Sequence, residues 1–273
     1  MQTRRKYLLA LVLGICIGFI SIIILYLINL NIVIETFATV EGASIVLTAY
    51  IIRISILAGM AIYLFKRWFM QEKMYTSDLP FLFGMFFILL VFGKLLEMLS
   101  NFMYPVVAQD VFLVYLKIRQ FVVIATLAPM VFLSIMMIII FLQANGKIKK
   151  YNDPRERNAF SLKILTIVAV VEAILIIVTP NTTISGINMA IFIILSLLVT
   201  TWMFYFSNRN KRLSQIHPLI VAIGFTGYLI SNILRVLFQN IIGENASFIV
   251  TTEILDIIIG SVIFIGYIKK AKY

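Results

Sequence analysis

Apolar residues run almost unbroken through eight stretches of this chain, and a short polar segment follows each one. A helix rises about 1.5 Å per residue, so roughly twenty apolar residues cross the ~30 Å hydrocarbon core of a bilayer. The first run extends from Tyr7 to about Ile28, the second from about Ser44 to Phe65, and the third from Pro80 to about Phe102. The fourth, about Val111 to Gln143, is longer and holds Pro129 near its middle, where a missing amide hydrogen predicts a kink. The others run from about Ser161 to Val178, Ile187 to Phe206, His217 to Gln239, and Ser247 to Ile268. Lipid offers no hydrogen bonds, so a spanning chain must satisfy its own backbone. The pattern therefore predicts an all-α, polytopic helical membrane protein with eight transmembrane helices, within one membrane domain spanning 1–273.

The polar breaks sharpen this picture. Thr3-Arg4-Arg5-Lys6 precedes an apolar run longer than the core of a cleaved signal peptide, so the first run reads as a retained helix. The segment around Asn29 to Gly42 carries Glu35 and Glu41 without a base and reads as an outer loop. Trp68, beside Lys66 and Arg67, reads as a residue of the membrane–water boundary. Asn152-Asp153-Pro154 signals a turn in the most basic segment, which also holds Lys147, Lys149, Lys150, Arg155 and Arg157. Two Asn-x-Ser/Thr sequons begin at Asn181 and Asn245, both in short outer loops that hug the membrane, which disfavours glycan attachment. Cys16, the one cysteine, reads as a small packing residue.

Composition agrees with the pattern. Residues are 62% hydrophobic and only 13% charged, against about 25% charged in soluble domains. No polar stretch is long enough for an appended soluble domain, which weighs against kinase, nuclease or nucleotide-binding modules. The net charge of +11 does not indicate nucleic acid, because of where the bases lie. Of 23 Lys and Arg, 18 fall at one alternating set of loops and ends, five within runs and none in the opposite loops. Under the positive-inside rule this predicts a multi-pass protein of the cell membrane with both termini cytoplasmic. The bilayer is then the obligatory partner, and the basic loops are placed to meet anionic lipid or a cytoplasmic partner.

Nine ionisable residues remain inside the apolar runs: Arg53, Lys94, Glu97, Lys117, Arg119, Glu172, Arg235, Glu253 and Asp256. Counted from the outer end of each helix, all lie some 6–15 Å deep at about 1.5 Å per residue. The inner halves hold none beyond Lys163 at the inner end of the fifth run. Charges within a span are costly unless they pair or meet water, so this shared layer is the candidate site, with Asn232 as a polar neighbour on the Arg235 stripe.

Laying Pro80 on Pro218 aligns the third and seventh runs without a gap and sets Lys94 on Asn232, Glu97 on Arg235 and Asn101 on Gln239. That coincidence suggests two parallel four-helix repeats, 1–146 and 155–273, joined by the basic loop and related by an axis along the membrane normal.

Three functions fit such a layer. It could bind or sense a small polar or charged ligand entering from the outer side. It could belong to a small-solute or proton-coupled transporter, although the apolar inner halves offer no path inward. Or its ion pairs could only hold a structural membrane component together. Catalysis is disfavoured and no residue is assigned to it. The single histidine, His217, lies far in depth from the carboxylates, which argues against a Ser-His-Asp site, and one histidine excludes a multi-histidine zinc site. Glu253-x-x-Asp256 has a spacing that could ligate a hard cation or serve acid/base work, but the surrounding bases favour salt bridges, and no cofactor or metal is assigned.

Overall fold

A computed structural model describes residues 2–104, 106–146, 153–242 and 245–271. The protein is all-α, 86% helical, with no strand among the described residues. In order the helices are α1 (Gln2–Ile28), α2 (Leu30–Thr39), α3 (Ala43–Phe69), α4 (Leu79–Met103), α5 (Gln109–Ala144), α6 (Pro154–Val178), α7 (Thr182–Arg209), α8 (Pro218–Ile242) and α9 (Ala246–Ile268). All except α2 are long and apolar enough to cross a membrane, giving eight candidate spans among the described residues. Lys147, Lys149, Lys150, Asn152, Glu244 and Lys272, which the charge and turn patterns place in loops or ends, lie outside the described residues.

Several local expectations are corrected. The loop expected around Asn29 to Gly42 is mostly helix α2. Asn29 breaks the path, donating from Nδ2 to the Leu25 carbonyl at 2.7 Å and to the Tyr115 hydroxyl at 2.8 Å. The Thr36 hydroxyl then donates to the Phe102 carbonyl at 2.8 Å, tying α2 to the end of α4. Only the residues up to Gly42 turn, and its φ of 80° is one that glycine adopts without strain. Of the turn expected at 152–154, Asn152 lies outside the described residues, while Asp153 caps α6 and Pro154 begins it. The Asp153 carboxylate accepts from the Arg155 amide at 3.0 Å and Pro154 needs no donor there. Both sequon asparagines are helix caps as well: Asn181 Oδ1 accepts from Ile184 N at 2.9 Å and Asn245 Oδ1 from Phe248 N at 2.8 Å.

Trp68 packs inside the unit instead of facing lipid. It is 1% exposed, its indole N–H donates to the Tyr75 carbonyl at 3.0 Å, and its ring packs against Tyr7 and Phe81. A donor that finds an internal acceptor can be buried without penalty. Cys16 is exposed on α1 rather than packed. Pro129 lies inside α5, which is helical on both sides of it.

The chain forms two compact units, Met1–Thr126 and Leu127–Tyr273, dividing within α5 one turn before Pro129. In the first, α4 is the central helix. Phe83, Phe86, Phe87 and Val91 are fully buried, and α3 contributes Leu64 and Leu57 to the same core. Gly84 lets the Phe65 ring lie where a Cβ would stand, 2.8 Å from it, and Gly18 of α1 receives Phe92 in the same way. Small residues at such crossings bring helices close enough for dispersion to hold them without a hydrophobic drive between lipid-solvated surfaces.

In the second unit α8 is central, with Val221 and Phe225 fully buried, and Phe225 stacks on Phe204 of α7 at 5.7 Å. Its crossing with α9 is closer still. A Cβ on Gly266 would lie 2.7 Å from the Val221 amide nitrogen, and one on Gly224 would lie 2.5 Å from Ile263. Backbone bonds from His217 N to the Gly266 carbonyl (2.8 Å) and from Ala271 N to the Ile216 carbonyl (3.0 Å) fasten the same end. Gly266→Val is expected to destabilise the protein by about 1–3 kcal/mol through overpacking, read as a lower midpoint of thermal unfolding in detergent. Gly14→Ala, with nothing within 4 Å of the added carbon, should leave the midpoint unchanged. Equal effects would mean that the α8–α9 crossing is not this close.

Candidate functional site

The ionisable residues cluster by unit. In the first unit, α4 brings Lys94 and Glu97 to the same face, one turn apart. Lys94 Nζ lies 3.0 Å from Glu97 Oε1, and Arg119 of α5 reaches the other oxygen, Oε2, at 3.2 Å. Lys94 also sits over the Tyr50 ring of α3, 5.4 Å from its centroid, a cation–π contact. The Tyr50 hydroxyl accepts from Asn101 Nδ2 at 2.9 Å. Arg53, one turn beyond Tyr50 on α3, is 2% exposed. Lys117 is half-buried on α5.

These side chains are nearly dry. The side chains of Lys94, Glu97 and Arg119 are only 5%, 14% and 20% exposed. Coulomb attraction is strong there because little water screens it. One carboxylate shared between two cations leaves the cluster positive. Away from the helix ends, the spans of this unit carry Arg53, Lys94, Lys117 and Arg119 against Glu97 alone among the described residues.

In the second unit, Asp256 of α9 meets two residues of α8. Arg235 NH2 lies 2.6 Å from Oδ2 and the Ser231 hydroxyl donates to Oδ1 at 3.0 Å. Asp256 is 5% exposed and Glu253, one turn earlier, is fully buried. Here carboxylates outnumber cations: Glu172, Glu253 and Asp256 against Arg235. Glu172 is half-buried on α6 and makes no hydrogen bond or ion pair among the described residues. Asn232 turns back on its own helix, donating to the Tyr228 carbonyl at 2.8 Å. The side chain of Gln239, next on that stripe, lies outside the described residues.

Ser231 and Tyr50 were not singled out by the sequence. Their signal was spacing, since each stands one helical turn before an arginine on its own helix, Ser231 before Arg235 and Tyr50 before Arg53. A span-internal hydroxyl in that phase is placed to orient the charged group or its partner. Among the described residues, no group of three or more His, Cys, Asp or Glu side chains could hold a metal ion.

Two ion pairs that join helices fall at matching positions of one sequence alignment. With Pro80 laid on Pro218, Glu97 coincides with Arg235, and Arg119 falls within one residue of Asp256. Glu97–Arg119 joins α4 to α5 and Arg235–Asp256 joins α8 to α9, so each couples the central helix of its unit to the next helix in the chain, with the signs exchanged. Comparison with protein-family models, curated proteins and solved structures finds no match, so these roles rest on geometry alone.

Proposed function

We propose that this multi-pass membrane protein, seated in the cell membrane with both termini cytoplasmic, binds a small anionic ligand from the outer side at the cation-rich layer of its first unit. The observation that carries the reading is the sharing of one carboxylate, Glu97, by Lys94 and Arg119 in a nearly dry setting where Arg53 is also buried. A second anionic oxygen group would relieve the repulsion among these cations. Arginine suits it through its planar fork, and lysine as a compact point charge. Glu97 then positions the two cations, and Tyr50 holds Lys94 from the ring side.

The second unit supports a different role for its charges. Asp256 meets Arg235 and Ser231 together, which favours a latch between α8 and α9. The exchanged signs of the two inter-helix pairs support an origin by duplication, since a pair can reverse polarity while keeping its place. On this reading the first unit kept a surplus of cations and acquired the ligand.

Thermal unfolding of the purified protein in detergent, followed by tryptophan emission, tests the ligand. The probes are inorganic phosphate, acetate, benzoate and methanesulfonate, with chloride as the ionic-strength control. A ligand at a hundredfold its Kd stabilises by about 2.7 kcal/mol, which raises Tm by about 5–10 °C in a chain of this size. At least one probe should do so in the wild type and lose the effect in Lys94→Gln. No shift from any probe, or shifts unchanged in Lys94→Gln, would end this reading.

A further inference from the structure

The second unit holds another feature, at the end of α7 that carries Arg209. The last two turns of α7 and the C-terminal part of α5 leave a crevice lined by Met137, Ile138, Phe141, Trp202, Met203 and Phe206, with Ser207 and Arg212 at its end. Phe141 and Phe206 meet edge to face at 4.4 Å, while Trp202 stacks on Phe206 at 5.3 Å. Trp202 is 49% exposed, so the crevice opens to the surroundings of the helix bundle, which along a spanning helix are lipid. Methionines on both walls let it adapt to a flexible chain.

Charge is gathered at one end only. Arg212 is half-buried, and the backbone places it deliberately: Lys211 (φ 52°) and Leu213 (φ 61°) on either side are both in the left-handed region. Non-glycine residues persist there only where the surroundings over-determine the chain. The bond from Arg212 N to the Ser207 carbonyl at 2.8 Å folds this turn back onto α7. From the other side Arg157 NH1 donates to Gln143 Oε1 at 3.4 Å, bringing a second guanidinium to the end of α5 close beyond Phe141. A shallow apolar groove of this kind, open to lipid at Trp202 and basic at one end, is complementary to an amphiphile with an anionic head.

We infer that this shallow groove binds one anionic glycerophospholipid of the leaflet at the basic end, with an acyl chain lying against its surface at Trp202 and the phosphate against Arg212. Basic sites between transmembrane helices on the cytoplasmic side recognise anionic headgroups by this chemistry. The site is separate from the charged layer, and its test does not depend on the ligand proposed there.

The protein has two tryptophans, Trp68 and Trp202, and only Trp202 lines the crevice. The probe is therefore lipid brominated on its acyl chains, phosphatidylglycerol or phosphatidylcholine, added at low mole fraction to vesicles containing the protein. Brominated phosphatidylglycerol should quench with about fivefold higher affinity than brominated phosphatidylcholine, as expected for one interfacial cation. Trp202→Phe should remove the preferential quenching, Arg212→Gln should abolish the preference, and Arg212→Lys should largely retain it. Inorganic phosphate should not displace the lipid. Equal quenching by both headgroups, a preference that survives Arg212→Gln, or displacement by phosphate would overturn the assignment.

Discussion

Arg235→Ala is expected to destabilise the protein by about 3–5 kcal/mol, the loss seen when one partner of a buried pair is removed and the other charge stays behind. Asp256 would be that charge. Its side chain is 3% exposed and would lose the 2.6 Å ion pair while keeping the Ser231 hydroxyl. A hydroxyl cannot neutralise a carboxylate, so loss of the guanidinium weakens the junction of α9 with α8. Reversible unfolding in mixed detergent micelles measures the loss directly. The double exchange Arg235→Asp with Asp256→Arg restores opposite charges across the same gap and should recover most of it. The Glu97–Arg119 pair of the first unit already has that polarity, with the carboxylate on the earlier helix. A loss under about 1 kcal/mol, the range of exposed pairs, would show that the pair is not a latch.

Glu97→Ala should have a comparable or larger effect, because two cations lose their shared partner at once. Lys94 Nζ and an Arg119 nitrogen lie 3.0 and 3.2 Å from its two oxygens and would face each other unscreened. A loss of about 3–5 kcal/mol is expected by the same reasoning, in the same unfolding assay. Formate should restore part of the stability of Glu97→Ala and none of Arg235→Ala, because a small carboxylate can fill the gap between two cations but cannot replace a guanidinium. Failure of formate to rescue would show that solutes do not reach this layer, and would remove the physical basis for an anionic ligand there. Exchanging signs in this unit, Glu97→Arg with Arg119→Glu, should be tolerated less well than the exchange at Arg235 and Asp256. The new arginine would stand one turn from Lys94, a like charge on the same helix face.

The spans were readable because lipid imposes a single requirement, about twenty apolar residues with an internally bonded backbone. Their ends were less so. The helix α6 begins at Pro154, where capping by Asp153 outweighs the polarity of Arg155, Glu156 and Arg157. The helix α2 was hidden because its ten residues are too short for a span, and its place depends on the Thr36 contact with Phe102, 66 residues away. Trp68 shows the same limit. Its sequence neighbours are the cations of a membrane boundary, whereas the Tyr75 carbonyl and the rings of Tyr7 and Phe81 decide that it is buried.

The sequence by itself determined that the chain is an all-helical, eight-span membrane protein, and which charges lie within its spans. Both follow from one-dimensional quantities, the length of apolar runs and the rise of a helix. Only the tertiary structure decided which charges meet. Ser231 and Asn232 are adjacent, yet Ser231 reaches Asp256 while Asn232 bonds its own helix. Successive residues on a helix point about 100° apart, so which of two neighbours enters an interface is set by the rotation of the helix against its partner. That rotation comes from packing contacts such as those of Gly224 and Gly266, made between residues far apart in the chain.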